Sequence, residues 1–235
     1  ILLAALSLCW GINWPVMKAA VTGYPPLSFR AASLVLGVPA LALVLVVLKV
    51  PFRVPRAHWR ELFWLTVFNM LFWHGLIIVA VKSLTSGRAA ILGYTMPIFS
   101  AILGALFYGA RLPARAWGGV GAAALGVTLR LWHEFVNLGG RPLAVGMALV
   151  AAATWALGTQ MLRHTRIPGP SLTISFWMTV ATALFMLGLA RGVEGPMPPM
   201  PDVTVAAMWF NAIMIFGFAH AAWFHLARTL PPIAS

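Results

Sequence analysis

One face of the first apolar stretch carries side chains suited to holding a small molecule. Trp10, Asn13, Trp14 and Met17 recur at intervals of three and four residues, so a helix places them together. Indole rings stack on flat groups and attract ammonium, and an amide can hydrogen-bond a carboxylate. Packing of the Trp rings against lipid or a neighbouring helix is the alternative. Asn13 favours a cavity wall, because an amide inside a membrane is placed toward protein or water.

Further aromatic and imidazole groups lie inside other apolar stretches. A polar side chain in such a stretch is a functional hypothesis by default, although an isolated His is more often a hydrogen-bonded structural group. We therefore predict one substrate-binding set, made of Trp10, Asn13, Trp14, Trp73, His74, Tyr94, Trp155, His220 and Trp223.

Two prolines are predicted to interrupt helices near this set. Proline lacks the amide that would bond the carbonyl four residues back. The carbonyl of Gly11 is therefore left without its donor by Pro15, and the carbonyl of Gly93 by Pro97. Broken backbone inside a membrane is tolerated where it faces protein or a water-filled cavity. These four residues are predicted helix-break or gating positions, with an ordinary kink as the alternative.

The chemistry that the sequence lacks is equally informative. The four acids, Glu61, Glu134, Glu194 and Asp202, fall in connections or at the ends of apolar stretches. The single Cys and the widely spaced His residues predict no metal site, and no nucleotide-binding loop is present, so no cofactor is expected. An enzyme would need paired acids, a metal cluster or an activated nucleophile, so we do not expect one.

The elements that position these residues are membrane-spanning helices. Hydrophobic residues make up 61% of the 235 residues and charged residues only 9%, a balance that excludes a soluble globular domain. The net charge of +12 is scattered between apolar runs, so no nucleic-acid partner is expected. Eight stretches are long enough to span a bilayer: 1–20, 27–48, 59–81, 87–109, 115–132, 142–162, 171–190 and 203–227.

An internal duplication organises these stretches. At an offset of 145, the pairs that match are Trp10 with Trp155, Lys18 with Arg163, Pro25 with Pro170, Leu27 with Leu172, and Trp64 with Trp209. A repeat of five helices reverses its direction across the membrane, which is typical of transporters. We predict an all-α, ten-helix inverted-repeat fold: residues 1–141 form the first repeat, and 142–235 form a second repeat truncated after its third helix.

The distribution of Lys and Arg orients the chain. With the amino terminus in the cytoplasm, the inner connections hold slightly more basic residues than the outer ones, as the positive-inside rule requires. In this arrangement Arg30 lies in an outer connection, and no Arg or Lys is expected in the middle of a helix.

The sequence resembles the drug/metabolite transporter superfamily, specifically its ten-helix EamA-type exporters. The resemblance lies in these stretches: 10–14, 25–30, 80–90, 94–99, 109–112, 117–119, 126–127, and in the second half Trp155 and 228–232. Among these proteins it is most similar to bacterial aromatic amino-acid exporters. One departure is Ala110, which stands where the family usually has Glu, so the family's Glu-Arg pair cannot form with Arg111.

The resemblance implies a secondary transporter in a bacterial inner membrane that exports neutral, aromatic or hydrophobic amino acids by alternating access. Its partners would be this small-molecule substrate and the lipid bilayer. An exporter of small organic cations or other metabolites is the alternative, and a membrane-embedded enzyme or a structural membrane protein is a third class. Transport would be either facilitated or coupled to protons through His74 or His220, the two imidazoles well inside spans.

Overall fold

A computed structural model describes residues 2–110, 113–136 and 141–229, and every regular element in these ranges is helical. The eight predicted stretches each correspond to one helix, so the all-α fold is confirmed. The helices are α1 Leu2–Thr22, α2 Pro26–Val47, α3 Arg56–Ser83, α4 Ser86–Tyr108, α5 Ala114–Val136, α6 Pro142–Arg163, α7 Ser171–Glu194 and α8 202–229. Arg111 and the end of the predicted 228–232 match lie outside the described residues.

Seven of the helices in the described ranges are long and apolar enough to cross a membrane, and α5 is not among them. The chain is therefore a multi-pass membrane protein. Proline opens two helices, Pro26 in α2 and Pro142 in α6, where its missing amide would have had no helical partner. Gly109 ends α4 with a φ of 63°, a left-handed conformation that glycine adopts without strain.

Small residues allow the central helices to approach closely. A Cβ at Gly37 in α2 would lie 2.5 Å from the Cβ of Phe216 in α8, and a Cβ at Gly158 in α6 would collide with the backbone of Asn69 in α3. Asn69 then donates to the carbonyl of Trp155, 3.2 Å away. These close crossings bring the helices that carry the predicted site residues around a common centre.

Helices α2 and α7 form an extensive pairing, and it is antiparallel. At one end of the bundle, which we call the turn end, Ser28 near the start of α2 donates to Glu194, the last residue of α7. At the other end, the loop end, Thr173 near the start of α7 donates to the carbonyl of Pro51, just after α2. The turn end holds the α1–α2 and α7–α8 connections, and the loop end holds the α2–α3 and α6–α7 connections.

Three helices depart from regular α geometry in the described part of the chain. π-Helical segments occupy Thr66–Leu71 in α3 and Asn211–Ala219 in α8, and α4 is interrupted at residues 94–95, between Ser86–Gly93 and Met96–Tyr108. The interruption in α4 lies where Pro97 predicts it. The interruption predicted at Pro15 was wrong: α1 runs through this proline as one helix, because losing a single amide donor does not by itself break a helix whose other turns remain bonded.

Candidate functional site

A small cavity lies at the centre of the bundle, between α1, α2, α3, α4, α6 and α8. Its volume is about 40 Å³, enough for a few water molecules and well below the several hundred cubic ångströms that a drug-sized ligand requires. We call it the central cavity. Its wall consists of Trp10, Asn13, Trp14, Met17, Arg30, Trp73, His74, Ile77, Tyr94, Met96, Trp155, Ile215 and His220.

The structure brings the predicted substrate-binding residues together. All of them except Trp223 line the central cavity. Trp223 lines an adjoining cavity of about 140 Å³, which shares Trp10, Tyr94, Met96 and Trp155 with the central one. Helical spacing explains this convergence for α1, because one side of a helix faces one neighbour. Their role in binding stays a prediction.

Aromatic rings form a continuous wall around the cavity. Trp14 packs edge-on against Trp73, with ring centroids 6.4 Å apart, and against Tyr94 at 5.9 Å. Trp73 in turn lies 5.3 Å from Trp155. In the wall of the adjoining cavity, the ring centroids of Trp10 and Trp223 are 5.2 Å apart. Such a wall offers π faces and edges to a flat ring or an ammonium group.

Two imidazoles close one side of this wall. His74 and His220 lie 5.3 Å apart between ring centroids, and both rings also contact Trp155. His220 Nδ1 lies 2.8 Å from the carbonyl of Ile215 in the π segment of α8. His74 is 1% exposed, and within the described residues neither of its ring nitrogens has a hydrogen-bond partner.

A second orphaned group faces the same space. Asn13 is buried, and its Oδ1 has no hydrogen-bond partner among the described residues. Buried polar atoms in proteins are nearly always satisfied, and those that are not mark places where water or a ligand completes the network. The unpartnered polar atoms of Asn13 and His74 therefore make the central cavity the candidate functional site.

Gly93 is part of the wall for a steric reason. A Cβ at this position would lie 2.5 Å from Cη2 of Trp14 and 3.4 Å from Cη2 of Trp73, so only glycine lets both indoles close over the interrupted α4. Pro97 lines the adjoining cavity. In contrast, Gly11 and Pro15 lie on the exposed side of α1, and neither lines the two cavities.

Arg30 corrects the sequence-based placement. The charge distribution predicts an outer connection for this residue, but Arg30 lies in the second turn of α2, is 1% exposed and lines the central cavity. Arg30 falls inside the predicted stretch 27–48, and its burial comes from the packing of α8, where Asn211 and Phe216 contact its guanidinium. A usable signal was present: Arg30 shares a helix face with Ser33 and Gly37, small residues typical of a face that packs against protein.

A larger cavity of about 550 Å³ lies elsewhere, between α3, α7 and the α2–α3 connection. Its wall is almost wholly apolar and contains none of the predicted residues. Polar groups that could orient a ligand do not converge there, so it is not the candidate site.

The comparisons with known proteins agree with the helical architecture. The model of the EamA-like transporter family matches residues 1–132. The uncharacterized transporter YoaV of Bacillus subtilis is 23% identical over 228 residues, which are 94% of this chain and 76% of that protein. The uncharacterized inner membrane transporter YedA of Escherichia coli K12 is 24% identical over 239 residues, which are 98% of this chain and 74% of that protein.

A solved structure shares the fold. It is described only as a crystal structure of a protein, and it superposes with a TM-score of 0.65 at 17% sequence identity, covering 95% of this chain and 80% of that one.

Proposed function

The chain belongs to the EamA-like transporter family, and we propose that it exports neutral amino acids with aromatic or other hydrophobic side chains. The membrane would be a bacterial inner membrane, and the route would be alternating access through the central cavity. Transport is a property of the family, whereas this substrate class is our own inference from the site.

The observation that carries the proposal is the composition of the cavity wall. Four Trp residues and Tyr94 surround it, and Asn13 and His74, which carry unpartnered polar atoms, belong to the same wall. A hydrophobic amino acid presents the matching pair of surfaces, an apolar or aromatic side chain and a compact polar head. A sugar phosphate would leave most of this aromatic surface unmatched.

The architecture supports alternating access between two inverted halves. Helices α2 and α7, which align at the offset of 145 residues, pack antiparallel, with Ser28 bonded to Glu194 at one end and Thr173 to Pro51 at the other. The two π segments also lie in helices that align at this offset. The central cavity of about 40 Å³ is too small to hold an amino acid, so substrate binding requires the helices around it to move apart.

Small organic cations are the second candidate, because Trp rings attract ammonium groups. The buried guanidinium of Arg30 in the same cavity wall argues against them, since two positive charges would share a poorly hydrated space. For coupling, facilitated export and proton coupling through His74 or His220 both remain compatible with the cavity.

Transport into proteoliposomes tests the proposal. The purified protein should catalyse counterflow of labelled phenylalanine, tyrosine, tryptophan or leucine, and Trp73→Ala or Trp155→Ala should reduce it at least about tenfold, because each removes a large ring contact. Trp209→Ala is the matched control: Trp209 is exposed in α8 and lines neither the central nor the adjoining cavity. Equal losses in all three variants, or counterflow of cations but not of amino acids, would contradict the proposal.

A further inference from the structure

The buried guanidinium of Arg30 has a role that the aromatic wall does not explain. We propose that Arg30 is the carboxylate receptor of the central cavity and that it restricts the transporter to substrates carrying a carboxylate. This inference rests on the proposed function for the identity of the substrate, but its chemistry can be tested separately.

Neutral groups fix the position of the guanidinium. Its Nη1 donates to Oδ1 of Asn211, 3.3 Å away, and its Nη2 to the sulfur of Met17 at 2.8 Å. The rings of Phe216 and Phe29 lie 5.7 and 5.9 Å from its central carbon. These contacts orient the cation, but none of them carries a full negative charge.

No described acidic side chain forms an ion pair with Arg30; the ion pair found in the described residues is His58 with Glu61. Glu194 is bonded to the amides of Leu27 and Ser28 at the start of α2, and Glu61 is bonded to Thr165 at the loop end. An uncompensated charge in a membrane interior is costly, and such residues typically serve a functional pathway.

The guanidinium retains an unused hydrogen-bond donor. Its Nε is buried and has no hydrogen-bond partner among the described residues, while Arg30 itself lines the cavity wall. An arginine presents Nε–H and a terminal N–H side by side, in the spacing that matches the two oxygens of a carboxylate. The free Nε–H donor and the missing negative charge therefore both favour a carboxylate ligand.

The other orphaned atoms complete a zwitterion site. The free Oδ1 of Asn13 is an acceptor suited to an ammonium group, and the Trp rings add attraction for the same positive charge. The carboxylate would bind at Arg30, the ammonium near Asn13 and the side chain against the aromatic wall. A cation without a carboxylate would meet the Arg30 charge unscreened.

Matched ligands of one shape test this assignment. We would measure thermal stabilisation and Trp fluorescence of the purified, detergent-solubilised protein with 3-phenylpropionate, its neutral amide and 3-phenylpropylamine. The expected result is that only the carboxylate binds well, and that Arg30→Gln weakens it about 10- to 100-fold while leaving the amide unchanged, as for loss of a charged hydrogen-bond partner. Arg30→Lys should be intermediate, because it keeps the charge but loses the paired donors.

Two results would overturn the assignment. One is a wild-type protein that binds the amine or the amide as tightly as the carboxylate, a result that needs no variant to fold. The other is a folded Arg30→Gln protein with unchanged preference for the carboxylate. A third result separates this inference from the proposed function. If amino-acid counterflow fails but the preference for the carboxylate is intact, the proposed substrate is refuted and the role of Arg30 is not.

Discussion

At the scale of single residues, the contact between Gly93 and Trp14 determines the shape of the cavity. Gly93→Ala would place a methyl group 2.5 Å from Cη2 and 2.7 Å from Cζ2 of Trp14, which forces the indole to move. We expect about 1–3 kcal/mol of destabilisation, as for other overpacked sites, together with weaker substrate binding. Thermal unfolding and fluorescence titration would measure the two effects.

The matched control is Gly188→Ala in α7. A Cβ at Gly188 meets nothing within 4 Å, so the substitution should stabilise the helix slightly and leave binding unchanged. If Gly93→Ala behaved like Gly188→Ala, the indole of Trp14 would not be held as the structure shows it.

Residue types and helical spacing were enough to predict which aromatic and polar side chains gather in the centre. Trp10, Asn13 and Trp14 could be predicted because three- and four-residue intervals define one face of a helix. The burial of Arg30 could not be predicted in the same way, because it depends on the residues of α8 that pack against α2. The orphaned atoms of Asn13 and His74 are likewise a property of tertiary packing, since hydrogen-bond partners come from other helices.

At the scale of secondary-structure elements, the interruption of α4 presents Tyr94 to the cavity. Pro97 cannot donate a hydrogen bond to the carbonyl of Gly93, and residues 94–95 leave the helix. Pro97→Ala would restore the donor and favour a continuous helix. We expect unchanged or higher thermal stability and at least about threefold slower counterflow, because Tyr94 would rotate away from Trp14.

Pro39→Ala is the control for this change. Pro39 also lies inside a helix, α2, but it is exposed and does not line the central cavity, so counterflow should be unchanged. Faster counterflow in Pro97→Ala than in the wild type would show that the interruption is not needed for the working geometry.

The positions of the helices were predictable because apolar length and proline-rich connections define membrane spans almost completely. The sequence predicted only some of the interruptions and π segments inside these helices. Pro15 and Pro97 carry the same local signal, yet only α4 is interrupted, since neighbouring packing decides whether a helix absorbs a proline. The π segments at 66–71 and 211–219 have no simple residue signature, so the sequence could not reveal them.

At the scale of the whole molecule, one carboxylate at each end of the bundle bonds two segments together. At the turn end, Glu194 accepts hydrogen bonds from the amides of Leu27 and Ser28, 2.9 and 2.7 Å away. Burial and the nearby Glu194 raise the pKa of Tyr24, so its hydroxyl stays protonated and donates to the carbonyl of Pro198. At the loop end, Glu61 accepts hydrogen bonds from the Thr165 hydroxyl and the amide of Arg166.

The proposed alternating access requires that the contacts of Glu194 and Glu61 open separately. A matched pair of variants tests this requirement. Glu194 joins the end of α7 to the start of α2, and Glu61 joins α3 to the α6–α7 connection. Glu194→Ala should therefore release the turn end and Glu61→Ala the loop end. Loss of charged hydrogen bonds shifts such an equilibrium about tenfold or more. Met96 lines both cavities. Met96→Cys, made in a Cys9→Ser background, would therefore report access to these cavities.

Labelling of this cysteine by a membrane-impermeant maleimide, added to one side of vesicles at a time, measures which end is open. Glu194→Ala should accelerate labelling from the turn-end side only, and Glu61→Ala from the loop-end side only. Asp202→Asn is the control, because Asp202 is exposed in the first turn of α8 and its loss should change neither rate. Opposite effects of the two Glu variants are expected if the two ends open in turn around the cavity. Faster labelling from the same side in both variants would mean that the carboxylates stabilise the bundle without controlling access.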